Sequence, residues 1–258
     1  MGATLQNSQG IFTGAVAVVL PAFNEAANLP GLFSSVASQL EGQQFKFVVL
    51  VVDDGSADST PAVLEEWSRH IPLKHFRHER NLGLGPTIRD CLRHACELLA
   101  PGDIVVSMDA DETHSPDLIP RMVERIQAGD DVVIASRYRP GARVRGLAWH
   151  RTLISQTASI LFRVVFPIPG VRDYTCGFRA YRVALLRRAF QDYGESFVDQ
   201  QGFQCMADIL LKLRRYKPRV GELPFVLRYD LKAGSSKMKL ARTTFATLRL
   251  MLKRRLRS

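Results

Sequence analysis

Short apolar runs that alternate with helix-like segments are the feature that most constrains how this chain can fold. The runs occupy residues 16–20, 47–52, 73–77, 104–108 and 132–136, and most of them are continuous stretches of Val, Ile and Leu. Such uninterrupted runs are typical of strands that helices cover on both faces. Strands separated by helices return to the same edge of a sheet and pair in parallel. The sequence therefore predicts an α/β fold with an open, mostly parallel sheet flanked by helices.

The second half of the chain has a less regular pattern. Its expected elements are helices at 150–166, 183–190 and 200–216, a loop at 167–177 and a strand at 222–227. No linker rich in Gly, Ser or Pro separates the two halves, and 258 residues are near the usual upper size of one domain. We therefore expect one catalytic domain over residues 14–238, a flexible N-terminus at 1–13 and a basic amphipathic helix at 239–258.

Positive charge is concentrated at the C-terminal end of the chain. Residues 231–258 contain nine Lys and Arg residues and no acidic residue, although the whole chain has 35 basic and 25 acidic residues. A basic end on a nearly neutral body indicates a local anionic partner, either a membrane surface or nucleic acid. The nucleic-acid alternative ranks last because the body is not basic and the tail lacks interleaved aromatic residues.

The C-terminal segment has the spacing of an amphipathic helix. Apolar residues recur every three or four positions beside a basic row, and the two sets are Ala241, Phe245, Leu248, Leu252 and Leu256, and Arg242, Arg249, Lys253 and Arg257. Such a helix can bind an anionic membrane surface. The alternative is a helix that docks on the body and exposes its basic face to solvent.

Three further features of the sequence bear on location. No run of about 18 apolar residues is present, so we expect peripheral rather than spanning membrane contact. The N-terminal residues lack the charged and apolar blocks of a signal peptide. Cys91, Cys96, Cys176 and Cys205 form no CxxC pair and no cluster with histidines, and we expect reduced, mostly buried thiols. The expected location is cytoplasmic, on the cytoplasmic face of a membrane.

Polar clusters follow three of the predicted strands. They are the segments 21–25 (PAFNE), 52–56 (VDDGS) and 109–111 (DAD). In an open α/β sheet, ligands bind beyond the carboxyl ends of the strands, near the point where the strand order reverses. The three clusters are therefore candidates for ligand binding.

The acidic pairs in these clusters carry the first functional hypothesis. Asp109 and Asp111 can aim two carboxylates at one Mg²⁺ or Mn²⁺ ion that holds a diphosphate, and Ala110 leaves room for a ligand. The alternative for this pair is a polar junction between a strand and a loop. Asp53 and Asp54 can accept hydrogen bonds from a nucleobase imide or ribose hydroxyls, whereas their alternative is a plain Asp-Gly turn.

Other polar positions are weaker signals when taken singly. Glu25 is explained by the approach to a helix, and Phe23 by packing. The segment 81–85 (NLGLG) either cradles phosphate through backbone N–H groups or forms only a tight turn before a helix.

Taken together, the clusters resemble a known family. The segments LPAFNEAANLP, VVDDGSADST, RNLGLG, MDADETHSP, SRY and DYTCGFRAYR occur in the order and approximate spacing found in family 2 glycosyltransferases. The resemblance covers roughly residues 14–240 and is closest to the dolichyl- and polyprenyl-phosphate mannosyl- and glucosyltransferases. It implies a GT-A fold, a GDP- or UDP-linked sugar as donor, and a divalent cation, Mg²⁺ or Mn²⁺.

The resemblance also implies roles for individual residues. The nucleoside contacts that it implies are Pro21, Phe23, Glu25, Val52 and Asp54, and the contacts to metal and diphosphate are Asp109, Ala110 and Asp111. Gly83 and Arg137 are further expected contacts to the nucleotide sugar. Asp173 matches an acid beside the reacting groups, and Arg228 and Lys237 match basic residues that face the diphosphate.

Departures from the family pattern occur at three places. Thr113 stands where some relatives carry a Gln that helps to bind the metal, which leaves that ligand open. The basic residue before the GSSK segment aligns with Arg228, Leu231 or Lys232, and we favour Arg228. Asp208 stands where relatives often have Glu.

The expected reaction is an inverting displacement in which a lipid-phosphate oxygen attacks the anomeric carbon of the sugar. Asp111, through the metal, and Arg228 and Lys237 would neutralise the departing diphosphate. A phosphate acceptor brings its own negative charge, whereas a hydroxyl acceptor would need a base, for which Asp173 is the first candidate.

The expected partners follow from this reaction. They are the nucleotide-diphosphate sugar, a polyprenyl phosphate, an anionic membrane surface and, as an option, a membrane-anchored partner subunit; nucleic acid is not expected. A soluble or polysaccharide acceptor is the alternative within the same family.

Overall fold

The computed structural model describes residues 14–146, 149–230, 247, 249–252 and 254–255, with the side chains of 149–154 excepted. Its strands are β1 (Ala15–Ala22), β2 (Lys46–Asp53), β3 (Leu73–Arg77), β4 (Ile104–Ser107), β5 (Val132–Ser136), β6 (Arg143–Arg145), β7 (Arg179–Arg182), β8 (Val220–Pro224) and β9 (Val226–Arg228). Its helices are α1 (Leu29–Leu40), α2 (Thr60–Trp67), α3 (Leu84–Leu98), α4 (Ile119–Gln127), α5 (Trp149–Val165), α6 (Val183–Tyr193) and α7 (Cys205–Leu213).

A seven-stranded sheet runs through the part of the chain that the structure describes, in the order β3-β2-β1-β4-β7-β5-β8. All neighbouring strands pair in parallel except β7, which is antiparallel to both β4 and β5. The predicted α/β fold with a mostly parallel sheet is therefore confirmed. The sequence did not indicate β7, because RAYR is four residues long and is not an apolar run.

The strand expected at residues 222–227 is instead two strands. β8 extends the main sheet beside β5, whereas β9 pairs with β6 in a separate two-stranded ribbon. The chain changes sheets at Phe225, whose side chain is buried and packs edge-on against Phe178 with 6.1 Å between ring centroids. The buried ring therefore lies at the junction between the two sheets.

Helices cover the sheet through apolar stripes, as the sequence pattern predicts. In α1 the buried side chains recur at helical spacing, namely Leu29, Leu32, Phe33, Val36 and Leu40. Phe33 is fully buried and packs against Trp67 of α2, with the ring centroids 5.5 Å apart. Truncating a buried Phe to Ala costs about 3–5 kcal/mol, so this contact is a substantial part of the free energy of unfolding.

The strand order reverses beside β1. From β1 the chain adds β2 and then β3 on one side, and β4 lies on the other side. The carboxyl ends of β1, β2 and β4 therefore surround the crevice in which open α/β sheets bind ligands. The three polar clusters of the sequence follow these three strands.

The described residues of the C-terminal segment are helical and contact the body. Leu250 and Met251 are buried, and Arg254 forms an ion pair with Asp208 of α7. Leu252, in contrast, leaves 67% of its surface exposed. The other positions of the predicted apolar and basic rows, Arg249 excepted, lie outside the described residues, as does the segment 1–13.

The cysteines and the helices bear on two further expectations. All four cysteines are buried and free, which confirms the predicted thiols. Burial raises the pKa of both Cys96 and Cys176 to about 12. Within the described ranges, no helix has the length and apolar character needed to cross a bilayer.

Candidate active site

The register of β1 and β2 brings the first two polar clusters together. Pro21 pairs with Val52 across these strands, so two of the predicted nucleoside contacts are direct neighbours. Beyond the strand ends, the Asn24 N–H donates to Ser56 Oγ at 2.8 Å, and Asn24 Oδ1 accepts from the Ala57 N–H at 2.9 Å. These bonds hold Asn24 in a left-handed conformation, with φ of 52°. The loop 23–25, which includes Phe23, is thereby fixed against the loop 54–58.

Glu25 is a buried acid at the start of α1. Its N–H donates to Thr60 Oγ1 at 2.9 Å, and its Oε2 accepts from Asn28 Nδ2 at 2.6 Å. Asn28 Oδ1 is a buried oxygen for which the described part of the chain supplies no hydrogen bond. Because such an oxygen costs free energy unless a donor reaches it, this corner suits a ligand that carries N–H or O–H groups.

The two acids at the end of β2 have different surroundings. Asp54 accepts the N–H groups of Leu82 and Gly83 on its two oxygens, at 2.8 and 2.9 Å. Asp53 accepts from Ser56 N–H through Oδ1. Its buried Oδ2 has no hydrogen bond from any described residue. The nearest cation that the structure gives this oxygen is Arg77 Nε at 3.4 Å. Asp54 therefore shapes the loop before α3, and Asp53, the other acid of the predicted acceptor pair, offers a buried acceptor.

In the glycine-rich loop before α3, two backbone N–H groups donate to other atoms of the protein. The Gly83 N–H is bonded to Asp54, and the Gly85 N–H donates to the Gln201 carbonyl at 3.0 Å. Gly83 has φ of 96°, and a Cβ on Gly85 would collide with the Gln200 carbonyl oxygen. The glycines therefore serve a left-handed turn and a close backbone approach, which favours the tight-turn interpretation over a phosphate cradle.

The acidic loop after β4 presents Asp109 and Asp111. The Asp109 N–H donates to His114 Nδ1 at 3.0 Å, which curls the loop back on itself. Thr113 Oγ1 donates to Asp111 Oδ1 at 2.6 Å, and the Thr113 N–H reaches the same oxygen at 3.2 Å. Ala110 is buried between the two acids. Thr113 thus orients the Asp111 carboxylate, a role that the sequence comparison with Gln did not suggest.

The carboxylates of this loop suit a divalent cation that also binds oxygens of a diphosphate. Carboxylate oxygens are the hard ligands that Mg²⁺ and Mn²⁺ prefer. No group of three or more His, Cys, Asp or Glu side chains arranged for a metal occurs in the described ranges. Asp109 and Asp111 are the side chains predicted to hold such a cation, and their assignment stays a prediction.

Arg137 and Asp173 form a buried ion pair after β5. Arg137 Nε and Nη2 donate to the two oxygens of Asp173 at 2.8 and 2.7 Å, and Arg137 Nη2 also donates to Thr175 Oγ1 at 2.6 Å. The N–H groups of Arg137, Thr175 and Cys176 donate to the same carboxylate at 3.1 to 3.2 Å. A carboxylate has about four lone-pair sites, so Asp173 is saturated with donors.

The protonation of this pair follows from its contacts. Burial alone would raise the pKa of Asp173, but the charge and hydrogen bonds of Arg137 outweigh burial and hold that pKa below its usual value. Burial acts to lower the pKa of Arg137, and Asp173 instead raises it well above its usual value. Both groups are therefore charged, and Asp173 fixes the direction of the Arg137 guanidinium.

Glu222 of β8 binds the backbone of the segment that carries Asp173. Its Oε1 accepts the N–H groups of Arg172 and Asp173 at 2.6 and 2.8 Å, and its Oε2 accepts from Arg139 Nε at 2.7 Å. The side chain is fully buried. The only sequence signal for this residue is an acid within an apolar strand, a position that is unfavourable unless the charge is paired.

The loop that carries Asp173 lies against the acidic loop. Ser107 Oγ donates to the Gly177 carbonyl at 2.7 Å, and a Cβ on Gly177 would lie 3.4 Å from Asp109 Oδ1. The loop 173–177 and the acidic loop are therefore neighbours, and a common site for Arg137, Asp109 and Asp111 stays a prediction.

Only some of the predicted basic residues of the C-terminal half are among the described residues. The Arg228 N–H donates to the Thr113 carbonyl at 3.0 Å, which places β9 beside the acidic loop. The Arg228 guanidinium pairs with Asp230, at 3.0 Å from Nε and 2.9 Å from Nη2. Lys237, and the alternatives Leu231 and Lys232, lie outside the described residues.

Comparison with known proteins agrees with this architecture. Residues 17–190 match the family model described as glycosyl transferase family 2. A dolichol-phosphate mannosyltransferase of Pyrococcus furiosus is 34% identical over 236 residues, which are 91% of this chain and 62% of that protein. The polyprenol monophosphomannose synthase of Mycolicibacterium smegmatis is 32% identical over 86% of this chain and 80% of its own length. This chain thus spans less than two thirds of the Pyrococcus protein.

Solved structures give the same fold. Glucosyl-3-phosphoglycerate synthase from Mycobacterium tuberculosis, in complex with Mn²⁺, uridine diphosphate and glucosyl-3-phosphoglycerate, superposes with a TM-score of 0.62. The match covers 94% of this chain and 80% of that one, at 20% identity. The sheet, its reversal beside β1 and the paired acids after β4 define a GT-A nucleotide-sugar transferase fold. The chain belongs to glycosyl transferase family 2, which confirms the resemblance seen in its sequence.

Proposed function

We propose that the protein transfers a hexose, mannose or glucose, from a GDP- or UDP-linked donor to a polyprenyl phosphate, with inversion at the anomeric carbon. The observation that carries this proposal is the saturation of Asp173 by Arg137 and three backbone N–H groups. A hydroxyl acceptor needs a base, and Asp173 was the first candidate for that role. A phosphate acceptor already carries negative charge and needs no base, which agrees with a carboxylate whose lone pairs are already used.

The chemistry requires alignment more than proton transfer. A phosphate oxygen of the acceptor forms a bond to the anomeric carbon while the bond from that carbon to the nucleoside diphosphate breaks, and the electron pair leaves with the diphosphate. Arg137, held in one direction by Asp173, attracts phosphate oxygens in this site. Arg228 and Lys237 stay predicted contacts to the diphosphate. A divalent cation, Mg²⁺ or Mn²⁺, would supply positive charge to the diphosphate when bound by Asp109 and Asp111.

The exposed side of α5 supports a lipid as the acceptor. Helix α5 is tied to the segment after β5 because Ser155 Oγ and Tyr138 Oη lie 2.9 Å apart. Its outer side presents Ile160 and Val164, which are 56% and 74% exposed. These exposed apolar residues lie on the side of α5 turned away from Ser155, so the helix can bury them in a hydrocarbon phase while its other side contacts Tyr138.

The same surface supports a place at a membrane. The relatives named above act, by their names, on dolichol phosphate and polyprenol, and such lipids reside in bilayers. We therefore propose a peripheral position on the cytoplasmic face, with the basic C-terminal segment on anionic lipid. A membrane-anchored partner subunit would be a further means of attachment.

The test measures transfer from GDP-mannose and UDP-glucose, each with Mn²⁺, to polyprenyl phosphate in vesicles and to 3-phosphoglycerate in solution. The proposal requires hexose on the lipid; transfer to 3-phosphoglycerate alone would overturn it. Val164→Asp should lower transfer to the vesicle-borne acceptor about tenfold. The variant loses the free energy that wild type gains when the Val side chain moves from water into the membrane. Leu98→Asp, an exposed position on α3, is the matched control and should leave transfer unchanged.

A further inference from the structure

His78 lies between two carboxylates at the edge of the candidate active site. Its Nδ1 is 2.8 Å from Asp54 Oδ1, and its Nε2 is 3.1 Å from Asp90 Oδ2 of α3. The imidazole is 13% exposed, and the Asp54 side chain is 4% exposed. The residue carries no role in the reaction described above, although it touches a predicted nucleoside contact.

The two ring nitrogens of His78 face one carboxylate each, so that a single imidazole joins Asp54 to Asp90. Asp90 is an anion because, although burial acts to raise its pKa, the hydrogen bond and charge of Arg89 together with His78 lower it below the usual value. The other charges packed nearby are already paired, with Arg77 on Asp53 and Arg89 on Asp90.

The bridge controls the position of Asp54. That carboxylate accepts the N–H groups of Leu82 and Gly83, and so it defines where the glycine-rich loop begins α3. His78 joins this carboxylate to Asp90, which lies further along the same helix. The end of β2, the loop and α3 are therefore joined through the side chains of Asp54 and His78.

We propose that His78 is a positioning residue for donor binding. It fixes Asp54, and through Asp54 the loop at Leu82 and Gly83, so that the nucleotide sugar meets a preformed site. This inference rests on the proposed function, because it assumes a nucleoside diphosphate as the ligand. A residue of this kind acts on the donor in both the ground and transition states, so its loss should raise KM and leave kcat nearly unchanged.

The experiment compares His78→Gln and Asp90→Asn with the control His75→Gln, which removes a nearby imidazole, in β3, that faces Glu65 instead. The dissociation constants of GDP and UDP with Mn²⁺, and KM and kcat for the sugar donor, are measured for each. His78→Gln and Asp90→Asn should each weaken binding of the preferred nucleotide about tenfold, the size of one charge-assisted hydrogen bond. Their double variant should be no weaker than either one, and His75→Gln should match wild type.

A second measurement follows the loop without any nucleotide. The amide resonances of Leu82 and Gly83 should shift in ¹H–¹⁵N spectra of His78→Gln and Asp90→Asn and stay in place in His75→Gln. Unmoved resonances, or moved resonances with unchanged nucleotide affinity, would overturn the positioning role. If wild type binds neither GDP nor UDP, the proposed function fails and this inference fails with it. Should His78→Gln not fold, Asp90→Asn tests the same bridge from its other end.

Discussion

The buried charge cluster under the C-terminal helix leads to a quantitative prediction about stability. Arg254 Nε and Nη2 donate to the two oxygens of Asp208 at 2.7 and 2.9 Å. Lys212 Nζ lies 2.8 Å from Asp208 and 3.0 Å from Asp199. The Asp208 side chain is 1% exposed and that of Arg254 is 17% exposed. We expect Arg254→Gln to leave part of the negative charge of Asp208 buried and unpaired.

The magnitude follows from these contacts. Removing one partner of a buried ion pair costs about 3–5 kcal/mol. Lys212 still neutralises Asp208 in the variant, and Arg254 is partly exposed to solvent, so we expect a smaller cost than this, about 2–3 kcal/mol. For a chain of this size, 1 kcal/mol shifts the unfolding temperature by about 2–4 °C. Arg254→Gln should therefore unfold about 5–10 °C below wild type.

The assay is thermal unfolding followed by calorimetry or circular dichroism, with Arg249→Gln as the control. Arg249 lies on the same helix but is exposed, so its substitution should change the unfolding temperature by less than about 1–2 °C. If Arg254→Gln unfolds at the same temperature as Arg249→Gln, the ion pair does not stabilise the docked helix and the reasoning fails.

Other perturbations have equally direct outcomes. Asp111→Asn should abolish transfer and reduce Mn²⁺ binding in the presence of nucleotide, while circular dichroism stays that of wild type; unchanged turnover would remove the metal assignment. Glu25→Ala should raise KM for the donor more than it lowers kcat, because nucleoside contacts exist before and during the reaction, and steady-state kinetics decides between the two. Because the pKa of Asp173 is lowered in the folded protein, its stabilising effect is present above about pH 4 and is lost as the pH falls toward the lowered value. The unfolding temperature of wild type should therefore fall more steeply on acidification than that of Asp173→Asn, and parallel slopes would contradict the assignment. Leu252→Asp should weaken sedimentation with anionic liposomes without changing the unfolding temperature, and wild-type sedimentation should weaken as salt rises.

Much of the fold was accessible from the sequence because its signals are local. Uninterrupted apolar runs identify β1, β2, β4 and β5, and their carboxyl ends identify where Asp109 and Asp111 lie. The short strand β7 carried no such signal. Its residues pair on both sides with strands that were already recognisable, so tertiary pairing rather than local propensity makes them a strand.

The finer features of the site depend on contacts between distant positions. His78 reaches Asp54 and Asp90 across 24 and 12 residues, and Arg254 reaches Asp208 across 46. The saturation of Asp173 comes largely from backbone N–H groups, which every residue except proline carries, and so no residue type could reveal it. Sequence spacing indicates which residues share an edge of the sheet, but it does not indicate which of their lone pairs are already used.

The position of β5 in the sheet has a consequence for the order of folding. Its neighbours are β7 and β8, and both are synthesised later than β5 itself. The strands β1 to β4, in contrast, pair among themselves and can assemble as soon as they leave the ribosome. A nascent chain that has just completed β5 therefore carries a largely apolar strand with both edges open, a recognised aggregation hazard. Chain release before residues 220–224 are made should leave a fragment that chaperones must hold, however stable the finished protein is.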